Sequence, residues 1–425
     1  MPYDVERIRG EFPGLARAES GRPTVFFDNP AGTQIARRAI ERMVEAMTTA
    51  NANLGGFFDT SVEAGALVRE AHAAAADFVN AASPDEIFFG QSMTALTFQL
   101  SRSIGRELRP GDEIVLTRMD HDGNVTPWLM LAEERGLTVR WLDFDPARFE
   151  YDMASLERAL NSRTRLIAVN HASNVTGTLN DIASIARAAK AVGALVYVDA
   201  VQSAPHVPID VQVLGCDFLV CSAYKFHGPH YALAWGRRAH LERLTAYKVR
   251  AASNQLPFRF VNGTTNREAL AGIRGAIEHF EWLGREFGAG GSDPSSTRRQ
   301  RIVAGALAMR AHDRMLAKRL IDGLATVPGL RILGLSRTED LARRVPTVSF
   351  DLAGHDPAAI ARFMATEGIN VWSGHNYGVE PVTRLGLLDK GGVVRVGPTH
   401  YNTPAEIDRF LESLARYRAR NALTA

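Results

Sequence analysis

Between about residues 25 and 235, short apolar runs alternate with segments of helical period, and that rhythm admits few architectures. The strand-like runs fall at 86–89, 113–117, 165–170, 194–199 and 218–221, with helical patterns between them such as the Ala-rich 181–192. Strand, helix, strand in succession calls for a mostly parallel sheet covered on both faces. The apolar run 231–235 follows its predecessor too closely for a crossover, so it is expected to run antiparallel.

The clearest break in composition is Gly288-Ala-Gly-Gly-Ser-Asp-Pro-Ser-Ser296, where a domain hinge is expected. Beyond it come a long basic helix over about 297–325, strands near 347–352 and 393–396, and a final helix. A chain of 425 residues accommodates two domains. The expected division is a large domain over 21–290 and a small α+β domain made of 1–20 with 291–425.

Charge and cysteine content narrow the function classes. Lysine and arginine number 49 against 47 acidic residues, and a balance of +2 leaves no footprint for nucleic acid. The opening residues lack the apolar core of a signal peptide, and no apolar stretch reaches membrane-spanning length. Cys216 and Cys221 have no metal or redox spacing and read as buried structural thiols. The expectation is a cytoplasmic enzyme with no membrane or nucleic-acid partner.

Chemistry enters at Lys225, in Cys221-Ser-Ala-Tyr-Lys-Phe-His-Gly-Pro229, at the end of an apolar strand and before a turn. A buried lysine loses its charge readily, and a neutral amine attacks an aldehyde to form a Schiff base. Upstream, the apolar run 194–199 ends on Asp199. Pyridoxal phosphate (PLP) requires this pair, a lysine for its aldehyde and an acid for its ring nitrogen.

Ligands of open α/β sheets bind at the carboxyl ends of the strands, and polar residues break the apolar runs there. Gly90-Gln-Ser92-Met93-Thr opens a helix whose first N–H groups suit a phosphate, although a helix-start serine is also an ordinary cap. His121 follows the 113–117 strand and could stack on a cofactor ring and shuttle protons. Asn174 follows the next strand and offers an amide donor to a ring oxygen. Gln202 lies three residues after Asp199, and Ser222 offers the phosphate a hydroxyl. Other patterns carry less. Ser222-x-x-Lys225 lacks the companion motifs of penicillin-binding enzymes. His227-x-x-His230 has no third ligand at usable spacing, so no metal site is expected. Arginines 298, 299, 301 and 310 read as a solvated helix face.

Val198-Asp-Ala-Val-Gln202, Ser222-Ala-Tyr-Lys225 and Phe226-His-Gly-Pro229 resemble the lysine region of the class V aminotransferases. That superfamily holds cysteine desulfurases, selenocysteine lyases, kynureninases and isopenicillin N epimerases. Phe27-Asp-Asn-Pro-Ala-Gly-Thr-Gln34 and Arg395-Val-Gly-Pro-Thr-His-Tyr-Asn-Thr403 are similar to its cysteine desulfurase-like subgroup, and the likeness runs from about 25 to 415. The resemblance implies the α/β architecture of PLP fold type I, with a mostly parallel seven-stranded sheet and a small α+β C-terminal domain.

Carried over by position, it implies that Lys225 holds PLP and moves protons at the substrate Cα. His121 would stack on the ring, Asp199 would pair with its nitrogen, and Gln202 and Asn174 would reach its oxygen. Ser92, the Met93 backbone and Ser222 would surround the phosphate. Thr264 would reach the phosphate of a neighbouring subunit, which implies a homodimer, and Arg395 would grip the substrate carboxylate.

Two positions depart from the subgroup. Tyr224 stands where many desulfurases carry a histidine before the lysine, and it can still hydrogen-bond a phosphate. Tyr377, in Ser373-Gly-His-Asn-Tyr-Gly378, stands where desulfurases carry their sulfur-accepting cysteine, so it is expected to shape a substrate pocket instead. The implied function is action on a small L-amino acid through a Cα carbanion, desulfurase- or C–S lyase-like but without a persulfide. Amino transfer, epimerisation and a non-catalytic PLP-binding role are the alternatives.

Overall fold

The computed structural model describes residues 2–19 and 21–422. A seven-stranded sheet forms its centre, in the spatial order Ile87–Gly90, Ala232–Gly236, Phe218–Ser222, Leu195–Asp199, Thr164–Asn170, Glu113–Thr117, Thr138–Leu142. Every neighbouring pair is parallel except the two that involve Ala232–Gly236, which runs antiparallel to both its neighbours. The strands read as continuous apolar runs because both faces are covered. Period-two alternation sends Phe88, Ile114 and Leu116 to one apolar cluster and Ile87, Phe89 and Val115 to the other.

Thr138–Leu142 was not among the expected strands. It lies at the sheet edge and alternates exposed and half-buried positions before the buried Leu142, so it lacks the apolar run that marks the inner strands. The helix expected over 181–192 is found at Ile182–Ala191, where the Asp181 side chain accepts from Ser184 N as the N-cap.

Two long helices, Arg267–Phe287 and Arg298–Ala325, flank the glycine-rich tract. They meet at backbone contact: a Cβ on Gly284 would strike the Arg301 carbonyl, and one on Gly305 the Phe280 carbonyl. Arg298 pairs with Glu70, Asp77 and Glu281, Arg299 donates to the carbonyls of Asp77, Phe78 and Ile209, and Arg301 pairs with Glu281. These arginines join the helix to its neighbours, so the solvated-face reading is corrected for them.

The C-terminal part builds a four-stranded antiparallel sheet in the order Leu330–Leu333, Val348–Leu352, Val393–Val396, Trp372–Gly374. Leu316, Leu320, Phe350, Val394, Ile407, Phe410 and Leu414 form its core, and the helix Pro404–Ala422 closes it. The N-terminal segment touches both sheets' surroundings. Val25–Phe26 pairs in parallel with Ile369–Asn370, Tyr3 donates to the His400 carbonyl at 3.0 Å, and Phe12 packs edge-on against His227 and His279. Among the described residues no helix is long and apolar enough to cross a membrane.

Candidate active site

The carboxyl ends of the parallel strands converge on one cavity. Ser92, Met93, His121, Asn174, Asp199, Gln202, Ser222, Tyr224 and Lys225 all line it, together with Thr94, Asn170, Ala172 and Val201. Of the sequence-derived residues, Arg395 and Tyr377 line a wider cavity that shares His121, Asn174, Tyr224 and Lys225 with the first. Thr264 does not line the Lys225 cavity of its own chain. It borders a separate groove with Gln91, Tyr231 and Asn262, just before the helix capped by Asn266.

Lys225 ends a short turn after Phe218–Ser222, is buried, and donates from Nζ to the Pro30 carbonyl. Burial, reinforced by the Arg395 charge, pushes its amine down to about 7, so a neutral amine is available near neutral pH. Asp199 is the last residue of its strand and accepts the Val201 N–H at 2.8 Å. Burial pushes its carboxyl up to about 6, against the opposing pull of Lys225, and a cation docked beside it would favour the anion.

His121 accepts the Gly123 N–H through Nδ1 at 2.9 Å, which fixes its ring. Burial and the charges of Lys225 and Arg395 push that imidazole down to about 3, so it is neutral at physiological pH. Its ring stacks on Tyr377, with centroids 5.5 Å apart and planes at 17°. Beneath it, buried Asp120 accepts from Thr117 and from Asn124 Nδ2, and Tyr151 donates to Asn170 at 2.7 Å.

Ser92 caps the helix Met93–Gly105, accepting from Ala95 N, and the helix start faces the cavity beside Ser222. Tyr224 lies against Gly32 and stacks on His230 at 4.8 Å. Among the described residues no group of three or more His, Cys, Asp or Glu is placed to hold a metal.

Several buried polar atoms at this site have no protein partner: Asn174 Oδ1, Gln202 Oε1 and Arg395 Nε. Gln202 Nε2 donates to the Thr347 hydroxyl at 3.1 Å. Turning the carboxamide over would let that hydroxyl donate to Oε1 and present the NH2 to the cavity. Arg395 donates to the Asn174 carbonyl at 3.1 Å, and burial pushes its guanidinium down to about 10. A buried amine, a buried acid, a neutral ring, a helix start and a half-satisfied guanidinium around one cavity match the donor set that a phosphorylated pyridine aldehyde needs.

Sequence reasoning missed Asp28, whose buried Oδ1 has no partner and whose carboxyl burial pushes up to about 6 with Arg395 nearby. It lay inside a quoted motif, but only the parallel bridge between Asp28 and Gly397 brings it to Arg395. The Pro30 carbonyl and Asn170 were likewise unassigned, since a backbone acceptor leaves no mark on residue type.

Comparison with known proteins agrees with this geometry. The family model for aminotransferase class-V matches residues 25–289 and 302–410. The chain is 32% identical over 420 residues to an aminotransferase-like protein of Gibberella zeae, covering 97% of this chain and 98% of that one. It is 31% identical over 431 residues to a cysteine desulfurase of Pectobacterium atrosepticum, covering 98% of both. Among solved structures, the apo cysteine desulfurase of Thermococcus onnurineus superposes with a TM-score of 0.84 at 25% identity, covering 97% of both chains. The cysteine desulfurase CsdA of Escherichia coli superposes with a TM-score of 0.82, also at 25% identity, covering 98% of both. On the strength of a family match across most of its length and of relatives aligned nearly end to end, the chain belongs to the class-V aminotransferase family of PLP-dependent enzymes.

Proposed function

We propose that this protein binds PLP at Lys225 and transforms an L-amino acid at Cα, by direct elimination or amino transfer, without a protein-bound persulfide. The observation that carries the reading is the meeting of Lys225, Asp199, His121 and Arg395 around adjoining cavities. When bound, PLP supplies an electron sink for a substrate Cα that has lost its proton.

The chain's own residues do the rest. Lys225 would hold the cofactor through Nζ and later move the proton at the substrate Cα, a task suited to an amine poised near 7. Asp199 would hold the ring nitrogen in its charged form, and neutral His121 would cover one ring face. The start of Met93–Gly105, with Ser92 and Ser222, would take the phosphate, and Gln202 and Asn174 the ring oxygen. Arg395 would take the substrate carboxylate through its unpaired Nε.

Sulfur relay finds no support in the cysteines. Cys216 and Cys221 are buried, and burial pushes the Cys216 thiol up to about 12 and Cys221 higher still. Only a thiolate accepts sulfur, and the Tyr377 phenol does not replace it. The same proposal includes a homodimer with Thr264 at the neighbouring phosphate, a cytoplasmic location, and the division into 21–290 and 1–20 with 291–425.

Purified protein should be yellow from the lysine-linked cofactor, and Lys225→Ala should lose both that absorbance and turnover on an amino-acid panel read out as pyruvate, sulfide and keto acids. Undiminished turnover in Lys225→Ala would remove the central claim. With L-cysteine, mass spectrometry should find no added sulfur on the chain, and a Cys216→Ala/Cys221→Ala variant should keep its activity. A persulfide on either cysteine together with activity lost in that variant would restore the desulfurase reading.

A further inference from the structure

The inner cavity adjoins a second, more open one whose walls set aromatic and apolar groups among the polar side chains of Thr126, Ser373, His375 and Asn376. Phe98 comes from the helix Met93–Gly105, Pro127 from the start of Thr126–Arg135, and Trp372 and Tyr377 from the small sheet and the loop after it. Trp372 pairs directly with Arg395 across the antiparallel strands. Opposite residues of such a pair share a face of the sheet, so both side chains leave it on the side of this cavity. The two rings at the mouth are 51% and 67% exposed (Trp372 and Tyr377), with one face of Tyr377 stacked on His121 and the rest of both rings open to the cavity.

The Tyr377 loop is held in place rather than draped. Asp122 N donates to the Tyr377 carbonyl at 2.7 Å and Asn174 Nδ2 to the Asn376 carbonyl at 2.8 Å. Asn376 and Tyr377 both take left-handed φ values, 53° and 57°, a cost for non-glycine residues that these tethers sustain. Formal charge is scarce in this outer cavity. Beyond Lys225 and Arg395 at the reacting end, Asp122 is the only carboxylate among the described residues lining it, and its Oδ2 accepts the Thr126 hydroxyl at 2.9 Å.

We propose that the substrate is an amino acid with a large, uncharged, aromatic side chain, seated against Trp372, Tyr377 and Phe98 with its carboxylate on Arg395. The proposal rests on the reading of Arg395 as the carboxylate anchor. A thiol-sized side chain held there would leave the aromatic walls untouched, and a charged one would meet no designed partner beyond Asp122.

Non-reacting carboxylates test the pocket apart from the chemistry. On the PLP-loaded protein, calorimetry should find 3-phenylpropionate binding at least tenfold tighter than propionate. The preference should shrink at least fivefold in Trp372→Ala and in Tyr377→Ala, while circular dichroism and the cofactor absorbance report that each variant is folded and loaded. With a 2-keto acid supplied to accept the amino group, kcat/KM for L-phenylalanine or L-tryptophan should exceed that for L-alanine or L-cysteine at least tenfold. Equal binding of propionate and 3-phenylpropionate would overturn the proposal, as would tighter binding of 5-aminopentanoate, which would assign the mouth to a cation at Asp122. Retained aromatic preference with no turnover of any amino acid would sink the enzymatic reading and leave the pocket standing.

Discussion

The inner and outer cavities of this protein are built in different ways. The inner one is assembled from the ends of strands in a single sheet, where Asp199 and Asn170 stand in register and Ser222 ends the next strand. Its groups are buried and shifted by that burial: Lys225 down to about 7, Asp199 up to about 6, His121 down to about 3. The outer one gathers side chains from two helix starts, a small-sheet strand and a loop, and its aromatic rings are half in water. On the proposed function, the desolvated inner groups would set which reaction is run and the open outer wall what is admitted.

Substitutions on either side of that divide should separate kcat from KM. Asp199→Asn should keep cofactor binding but lower kcat about a hundredfold with KM little changed, because a neutral amide cannot balance a charged ring nitrogen. A change confined to KM would place Asp199 with the outer set. Arg395→Lys should lower kcat/KM about ten- to hundredfold, since a charge-assisted hydrogen bond of ~1.5–3 kcal/mol is weakened when the planar fork is lost. An effect below threefold would mean that another group binds the carboxylate.

Acid should damage the buried interior first. Burial pushes His72 down to about 4 and His227, two residues beyond Lys225, down to about 3. Both folded values lie below the unfolded value near 6.5, so the unfolded chain binds the extra protons and stability falls as pH drops below that value toward the folded values. Each residue should cost about 2 kcal/mol at pH 5 relative to pH 7. Denaturant midpoints at the two pH values check this, and a midpoint unchanged at pH 5 would show that these rings are paired in the folded protein. The smallest effect is expected at the mouth. Tyr377→Phe keeps the ring that stacks on His121 and should change kcat/KM by no more than about twofold. A larger loss would give the phenol a chemical role.

The inner set was legible because few residue types can do its work. A lysine and an aspartate closing apolar strands are costly where they lie unless a cofactor uses them, and the intervals between them follow from the strand–helix rhythm. The inner strands showed for the same reason, whereas Thr138–Leu142, alternating at an edge, did not. Arg344 left no trace at all. It is buried, bonds only to carbonyls, among them those of Leu335 and Thr347, and so steadies the residue that holds Gln202.

Residue order along the chain determined the sheet, the lysine turn and the acid opposite it, because periodicity and burial act locally and repeat at every strand. Tertiary structure alone decided that Trp372 stands opposite Arg395, that Asp28 comes near the same guanidinium, and that Tyr377 lies on His121. The last two meetings join segments hundreds of residues apart, and no local pattern encodes a meeting that depends on how one part of the chain settles against another.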